Sequence, residues 1–181
     1  MMNRSRLYTF CSLVILILIS AGCSDHITVR TDYDRDIDIR QFPSFVLIDK
    51  EAIEDKNNPL YQNELNDKRI RSAVVDQLVG KGYVQDEASP ALKVHYHIVI
   101  EDKTQIREDP YTPYWIDRQR DLYKYREGTL IIDLMDASKE ALLWRGWATR
   151  VLNDSEAMSE EMIQSAVAKI FSSLPAAGNP K

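Results

Sequence analysis

The sequence predicts a single α+β domain, a largely antiparallel sheet with two helices packed on one face, after an N-terminal signal peptide. Three observations favour this fold class. Several short segments alternate apolar and polar residues, two longer segments carry an apolar stripe at helical spacing, and a polar turn joins two strand-like runs. Hairpin-joined strands form antiparallel sheets, and amphipathic helices cover one face of such a sheet. The predicted order is β-β-α-β-(β)-β-β-α.

The N-terminal segment is predicted to be a lipoprotein signal peptide over residues 1–22. A positive start precedes an apolar run that is too short to cross a bilayer, which needs about 20 apolar residues, and small residues follow it. Residues 20–23, Ser-Ala-Gly-Cys, resemble the lipobox of bacterial lipoproteins, which implies that Cys23 is diacylated and becomes the new N-terminus. The alternative is an ordinary signal peptide cleaved near Ala21 or Gly22.

A diacylated Cys23 would hold the protein firmly at a membrane, because two acyl chains anchor far better than one. By resemblance to enteric lipoproteins, Ser24 in place of Asp favours the outer membrane, with the domain facing the periplasm. Residues 23–26 are then a lipidated N-terminus and short linker. Residues 27–175 form the single domain, and 176–181 are predicted to be a disordered tail.

Composition excludes some functions. The formal net charge is −5, and removal of the signal peptide takes away two Arg and no acid. Nucleic-acid binding depends on Lys and Arg that neutralise phosphates, so no nucleic-acid partner is predicted. Cys11 leaves with the signal peptide and Cys23 would be acylated. The mature domain therefore has no thiol for catalysis, for a disulfide or for a metal.

The first half of the domain contains three predicted strands and one helix. Alternation over residues 27–34 predicts the first strand, and a second follows Pro43 over Ser44–Asp49. Residues 63–83 carry an apolar helical stripe, and Gly80 and Gly82 supply the stop signal. The clearest strand covers 91–102, with one apolar and one polar face, as expected of a sheet that is solvated on one side.

The second half begins with an unusual segment, Thr104–Glu127, rich in aromatic and charged residues. It is interpreted either as a long loop or as carrying an edge strand around Leu122–Arg126. A hairpin follows, with strands over Thr129–Met135 and Ala141–Leu152 around the polar turn Asp136–Glu140. An amphipathic helix over Ser155–Leu174 ends before Pro175.

The two ends of the domain carry motifs that are similar to those of a known family. Asp32, Tyr33, Asp34 and Asp38 match its early motif. The matches to its late motif are Gly128, Thr129, Leu130, Asp133, Trp144, Arg145, Gly146 and Trp147. These residues resemble domain of unknown function 4136, a bacterial lipoprotein family, over nearly the whole mature chain. The resemblance implies an envelope location and an α+β fold, and it implies no activity.

Several polar motifs are interpreted as structural. His95 and His97 lie on one strand face at a spacing that can serve zinc or copper, but a site needs a third ligand and an orienting second shell. We interpret them as part of the polar sheet face, and predict no metal and no cofactor. Alternation places Trp144 and Trp147 on opposite faces, so one is predicted to be core, with Gly146 allowing a close approach or a bulge.

One segment combines the residue types that dominate binding energy at protein interfaces, namely Tyr, Trp and Arg. The candidate partner-binding residues are Tyr111, Tyr114, Trp115, Arg118, Tyr123 and Tyr125. The alternative is that the segment covers the polar face of the sheet.

No catalytic pattern is present: the sequence has no Gly-x-Ser-x-Gly elbow, no phosphate-binding Gly-rich loop and no His-Glu-x-x-His. No catalytic residue is predicted. The favoured function is a lipid-anchored, non-enzymatic envelope module that binds a protein. One alternative is a metal-dependent or carboxylate-based hydrolase of cell-wall or lipid material that uses His95, His97 and nearby carboxylates. Another is a small apolar or glycan ligand held between sheet and helices.

Overall fold

The computed structural model describes residues 27–48, 60–107, 121–152 and 158–178. These residues form one six-stranded sheet and two helices, which confirms the predicted α+β class. The elements in chain order are β1 (Thr28–Tyr33), β2 (Ser44–Leu47), α1 (Glu64–Gly80), β3 (Val84–Gln85), β4 (Leu92–Arg107), β5 (Asp121–Asp136), β6 (Leu142–Leu152) and α2 (Glu160–Phe171). A single turn of 3-10 helix at Ile39–Gln41 precedes β2.

The sheet is mixed, and its strand order is β1-β6-β5-β4-β2-β3. The first four strands in this order are antiparallel neighbours, whereas β2 runs parallel to both β4 and β3. Parallel neighbours require a crossover connection. Here that crossover contains α1, which follows β2 in the chain and precedes β3 and β4.

Both helices bury their apolar stripes against one face of the sheet. Helix α1 contributes Ile70, Ala73, Val74 and Leu78, and helix α2 contributes Ile163, Val167, Ile170 and Phe171. The sheet supplies the opposite side of the core through Phe45, Leu47, Leu92, Val94, Tyr96, Leu130, Ile132, Leu134, Trp144 and Ala148. The other side of the sheet carries neither helix, and we call it the helix-free face.

The helix ends follow from local residues. Asn63 caps α1 by accepting a hydrogen bond from the N–H of Asn66, and Ser159 caps α2 by accepting from the N–H of Met162. Gly82, one of the two predicted stop residues of α1, has a φ of 86°. A side chain at this φ would be strained, so glycine is suited to the turn that closes the helix.

The longest feature is the hairpin of β4 and β5, whose strands pair from Leu92 opposite Asp136 to Arg107 opposite Asp121. Strand β6 ends at Leu152, opposite Arg126. In the described residues the hairpin beyond that point is a two-stranded ribbon, 103–107 with 121–125, which we call the arm. The long-loop interpretation of Thr104–Glu127 is therefore wrong for the described part of this segment.

The strand predicted around Leu122–Arg126 exists, but it is the first part of β5 and continues into the strand predicted at Thr129. Glycine weakens a strand, so Gly128 suggests the end of a strand in the sequence, but β5 continues through this residue. A Cβ atom at this position would lie 3.0 Å from the Leu152 Cδ1 atom of β6. The missing side chain thus makes room for a neighbour on the next strand.

The chain after α2 folds back over the end of α1. The Lys81 Nζ donates to the Leu174 carbonyl at 2.7 Å, and the buried Tyr83 hydroxyl donates to the Pro175 carbonyl at 3.2 Å. Two residues of the predicted tail also form backbone hydrogen bonds, from the Ala177 N–H to Lys81 and from the Gly178 N–H to the Arg40 carbonyl.

Candidate functional site on the helix-free sheet face

Side chains on the helix-free face form rows across four strands. In one row, Arg145 of β6 lies between Asp32 of β1 and Asp133 of β5, and His95 of β4 follows opposite Asp133. The neighbouring row consists of Arg30, Trp147, Ile131 and His97. This arrangement follows from strand alternation, which places every second residue on the same face.

An ion pair between Asp133 and Arg145 joins β5 to β6 in the first row. The Arg145 Nε donates to Oδ1 of Asp133 at 2.6 Å, and Nη2 donates to Oδ2 at 2.7 Å. The Asp133 side chain is only 10% exposed, whereas that of Arg145 is 42% exposed. The carboxylate raises the pKa of the Arg145 guanidinium above its usual value, mainly through these hydrogen bonds. Charge pairing allows a buried carboxylate to remain in the sheet.

Trp147 lies beside a shallow depression of about 400 Å³ on the helix-free face. Its lining residues are Val99, Glu101, Thr129, Ile131, Arg145, Trp147 and Thr149. The hydroxyl oxygens of Thr129 and Thr149 lie 3.0 Å apart and hydrogen bond across β5 and β6. The depression combines a half-buried indole and aliphatic groups with polar atoms at its rim, which is a usual composition for a protein interface.

The same face continues outward along the arm. Tyr123 and Tyr125 are separated from Thr129 and Ile131 by even numbers of residues along β5, so their side chains point to the same side, the helix-free face. Their rings stack with centroids 5.9 Å apart at an interplanar angle of 23°, and Tyr123 is 47% exposed. The two tyrosines thus extend the surface that contains Trp147.

Charges on the arm are compensated locally. Lys103, the cross-strand neighbour of Tyr125, forms an ion pair with Glu101 and lies 4.0 Å from a carboxylate oxygen of Glu127. These carboxylates raise the pKa of the Lys103 ammonium group, mainly through the hydrogen bond that Lys103 donates to Glu101. The charge of Lys103 beside Tyr125 is therefore compensated within the domain, which lowers the cost of burying this side chain against another surface.

The predicted partner-binding residues are divided by the limits of the described chain. Tyr123 and Tyr125 lie together on the arm. Tyr111, Tyr114, Trp115 and Arg118 lie outside the described residues, as does the predicted lipidation site Cys23. The alternative that this segment covers the polar sheet face remains a prediction.

Trp147 belongs to a motif that the sequence analysis interpreted as packing rather than as a binding site. The two Trp side chains lie on opposite faces, as predicted: Trp144 is buried and stacks on Phe171 with ring centroids 5.6 Å apart, and Trp147 is on the helix-free face. Alternation alone identifies one outward Trp in the Trp-Arg-Gly-Trp motif. The missing information was that no described helix covers that side.

His95 and His97 are half-buried on the helix-free face, as the alternation predicts. Opposite His95, both carboxylate oxygens of Asp133 already accept hydrogen bonds from Arg145. Within the described residues, no three His, Cys, Asp or Glu side chains come close enough together to hold a metal ion.

An apolar crevice lies at one end of the core, between α2 and strands β4 to β6. It is lined by Ile27, Ile98, Ile100, Leu130, Leu152, Met158, Met162 and Ile163, among others. Its volume is about 50 Å³, whereas pockets for small organic ligands usually measure 300–1,000 Å³.

Of the two helices described, neither has the length and apolarity that crossing a membrane requires.

The fold and the site define a small α+β domain in which the two described helices cover one face of the sheet. The chain belongs to the family described as domain of unknown function (DUF4136), whose model matches residues 29–176. The resemblance to this family is therefore confirmed. No curated protein matches the sequence.

Solved structures share the fold. A PDZ domain protein from Parabacteroides distasonis aligns with a TM-score of 0.54 and 16% sequence identity. The alignment covers 87% of this chain but only 38% of that protein, so this chain spans less than half of its length. The PelC dodecamer from Paraburkholderia phytofirmans aligns with a TM-score of 0.50 and 16% identity, covering 83% of this chain and 99% of that one.

Proposed function

We propose that this protein is a non-enzymatic, lipid-anchored module of the bacterial envelope that binds a protein partner through its helix-free face and its arm. The observation that carries the proposal is the continuity of Trp147, the depression beside it, and the stacked pair Tyr123 and Tyr125 on the side of the sheet that neither described helix covers. The partner is expected to be a protein, because Trp, Tyr and Arg are enriched at protein interfaces.

The chemistry of the surface supports a docking role. Ion pairs already compensate the charged groups Asp133, Arg145 and Lys103 within the domain. A partner that covers them need not supply new counter-charges, so the aromatic and aliphatic groups between them can provide the driving force by leaving water. Rim groups such as the two Thr hydroxyls can orient the partner.

The proposed envelope location rests on the lipobox-like residues 20–23 and on the lipoprotein character that the family resemblance of the sequence implies. Two acyl chains on Cys23 would hold the domain at the membrane surface. The Ser24 residue favours the outer membrane, with the domain in the periplasm. The similarity to the PelC dodecamer adds self-association to the possible outcomes, so the partner of this face has to be identified by experiment.

The test is a quantitative pull-down from envelope extract with the full chain. The double variant Tyr123→Ala/Tyr125→Ala and the single variant Trp147→Ala remove the aromatic groups of the proposed surface. Each is expected to lower recovery of the partner at least tenfold, which corresponds to about 1.4 kcal/mol of binding free energy.

The matched control is Leu65→Ala on α1, because Leu65 is also an exposed apolar residue, at 64% exposure, but lies away from the helix-free face. Its recovery should equal that of the unchanged protein. Thermal unfolding of each variant shows whether the fold is retained. Equal recovery with all three variants would contradict the proposal.

A further inference from the structure

Strand β1 forms one edge of the described sheet. It lies at one end of the strand order and pairs only with β6, and among the described residues no strand covers its second edge. The other end of the sheet is different, because β3 is only two residues long. Exposed edge strands of this length are usually covered by another element, protected from pairing by charged side chains, or used for pairing with another chain.

The hydrogen bonding of β1 shows which backbone groups point outward. The Asp34 N–H donates to the Leu143 carbonyl of β6. In an antiparallel pair the groups that face one neighbour belong to every second residue, so Arg30 and Asp32 also face β6. The N–H and C=O groups of Val29, Thr31 and Tyr33 therefore face away from the sheet.

We propose that this edge pairs with β1 of a second copy of the chain, antiparallel, about a two-fold axis at Thr31. In that register Thr31 lies opposite Thr31 of the second copy, and Val29 lies opposite Tyr33. All three outward-facing residues then meet outward-facing residues, as the hydrogen-bonded pairs of an antiparallel ladder require. The interface is isologous, which is the commonest symmetry of soluble oligomers.

Charge complementarity selects this register. With the axis at Thr31, Arg30 of each copy lies opposite Asp32 of the other, so the pairing forms two opposite-charge pairs. An axis at Arg30 would place two Arg side chains opposite each other, and an axis at Asp32 would place two Asp side chains opposite each other. Like charges directly opposite each other on neighbouring strands are unfavourable.

Side-chain exposure agrees with the pairing. Tyr33 is 60% exposed although it lies on the side of the sheet that carries the helices. In the proposed register it would pack beside Val29 of the second copy and lose much of this exposure. Asp32 now accepts a hydrogen bond from the Tyr33 N–H at 2.9 Å. On pairing, the Asp32 carboxylate would turn to Arg30, and that N–H would join the ladder.

Cysteine crosslinking tests the register with the full chain, in which Cys11→Ser and Cys23→Ser remove the native thiols. Thr31→Cys should form a disulfide-linked dimer under mild oxidation, because opposite Cα atoms lie about 5.5 Å apart in such a pair and disulfides span about 4.4–6.8 Å. Thr28→Cys is the matched control. Its two copies would lie six residues out of register, about 20 Å apart.

We expect Thr31→Cys to crosslink at least ten times faster than Thr28→Cys. Equal rates, or faster crosslinking of Thr28→Cys, would overturn the register. This experiment is independent of the proposed function, because neither the lipid nor the arm takes part. The variant Tyr123→Ala/Tyr125→Ala should dimerise as the unchanged chain does.

Charge reversal provides a second, reversible test by sedimentation velocity of the full chain in detergent. Arg30→Asp should raise the dimer dissociation constant at least tenfold, since it places Asp opposite Asp in both pairs. Adding Asp32→Arg should restore dimerisation, because the two opposite-charge pairs are rebuilt with their signs exchanged. Circular dichroism verifies that each variant is folded. A monomer across the micromolar range, or double-variant dimerisation no stronger than that of Arg30→Asp, would refute the pairing.

Discussion

Arg145 holds the buried carboxylate of Asp133 with two parallel hydrogen bonds across β5 and β6. The pair is asymmetric, because water reaches Arg145 but hardly reaches Asp133. Removing the exposed partner is therefore the damaging change, since it leaves a desolvated charge behind.

Arg145→Ala is expected to lower the free energy of unfolding by about 1–2 kcal/mol. An unpaired buried polar group costs about 1–3 kcal/mol, and the partial exposure of Arg145 reduces that value through solvent screening. Arg145→Lys should recover only part of the loss, because an ammonium group cannot donate to both oxygens in the same planar geometry. Urea denaturation measures both effects.

The control for this prediction is Arg40→Ala. Arg40 also donates through two of its nitrogen atoms, Nε and Nη2, to a carboxylate, that of Asp38. Both side chains of this pair are more than half exposed. Exposed pairs contribute about 0–1 kcal/mol, so this change should be nearly neutral. Equal losses for Arg40→Ala and Arg145→Ala would show that burial of Asp133 is not the cause.

Gly146→Ala is expected to destabilise the protein by about 1–3 kcal/mol, the usual cost of overpacking a core. A Cβ atom at position 146 would lie 2.6 Å from the Ile170 Cγ2 atom of α2 and would overlap the Trp144 ring. Neither neighbour can move easily, because Ile170 and Trp144 are both buried. Thermal unfolding is the measurement.

Gly80→Ala is the matched control, because no atom lies within 4 Å of its added Cβ and its φ is not positive. The same methyl group there should be neutral or stabilise the end of α1 by up to about 1 kcal/mol. A loss at position 80 as large as that at 146 would mean that the clash with Trp144 and Ile170 is not responsible.

Stability at high pH should depend on Tyr83. Burial raises the pKa of its hydroxyl to about 12, with a smaller contribution from the negative charge of Asp38. The unfolded chain loses this proton near pH 10 and the folded chain keeps it longer, so the folded state binds more protons between these values. The contribution is fully present below about pH 10 and is lost as the pH rises through about 12.

Tyr83→Phe should therefore lose less stability than the unchanged protein between about pH 10 and pH 12, by about 2 kcal/mol. Near neutral pH the variant should be less stable, by about 0.5–1.5 kcal/mol, because it lacks the hydrogen bond to the Pro175 carbonyl. Urea denaturation at a series of pH values measures both. Parallel profiles for the two proteins would contradict the prediction.

Cys23→Ser should release the protein from the membrane fraction. Without a thiol at this position no diacylglycerol can be attached, and the remaining domain has no acyl chain to hold it. Fractionation with immunoblotting measures the shift, and mass spectrometry of the unchanged protein should show a lipid-modified Cys at the mature N-terminus. Unaltered fractionation of Cys23→Ser, or an unmodified Cys23, would disprove the anchor.

Alternation predicted that Trp144 and Trp147 lie on opposite faces of the sheet, and helical spacing predicted an apolar stripe on each helix. Such patterns show which side of a strand or helix faces the core, but they do not show which element lies beside it. The parallel pairing of β2 with β4 depends on how the crossover through α1 returns the chain. The two-residue strand β3 is too short to have a pattern of its own.

The contact between Asp133 and Arg145 could not be derived from the predicted hairpin turn alone. The predicted hairpin turn places Asp133 and Arg145 on neighbouring strands, but a register irregularity at Leu134 and Met135 shifts the alignment by one residue. A bulge of this kind changes which side chains meet. The sequence therefore indicated both residues as motif positions, and the structure was needed to show that they bind each other.

Strand β1 begins the domain and its partner β6 comes near the end, so this pairing closes most of the domain into one loop. The entropy cost of such a closure is large, and contacts between residues distant in sequence form slowly. The hairpin of β4 and β5 is local by comparison. We expect it to form early and β1 to join the sheet last, so that amide hydrogens of β1 exchange with solvent at a lower opening free energy than those of the hairpin.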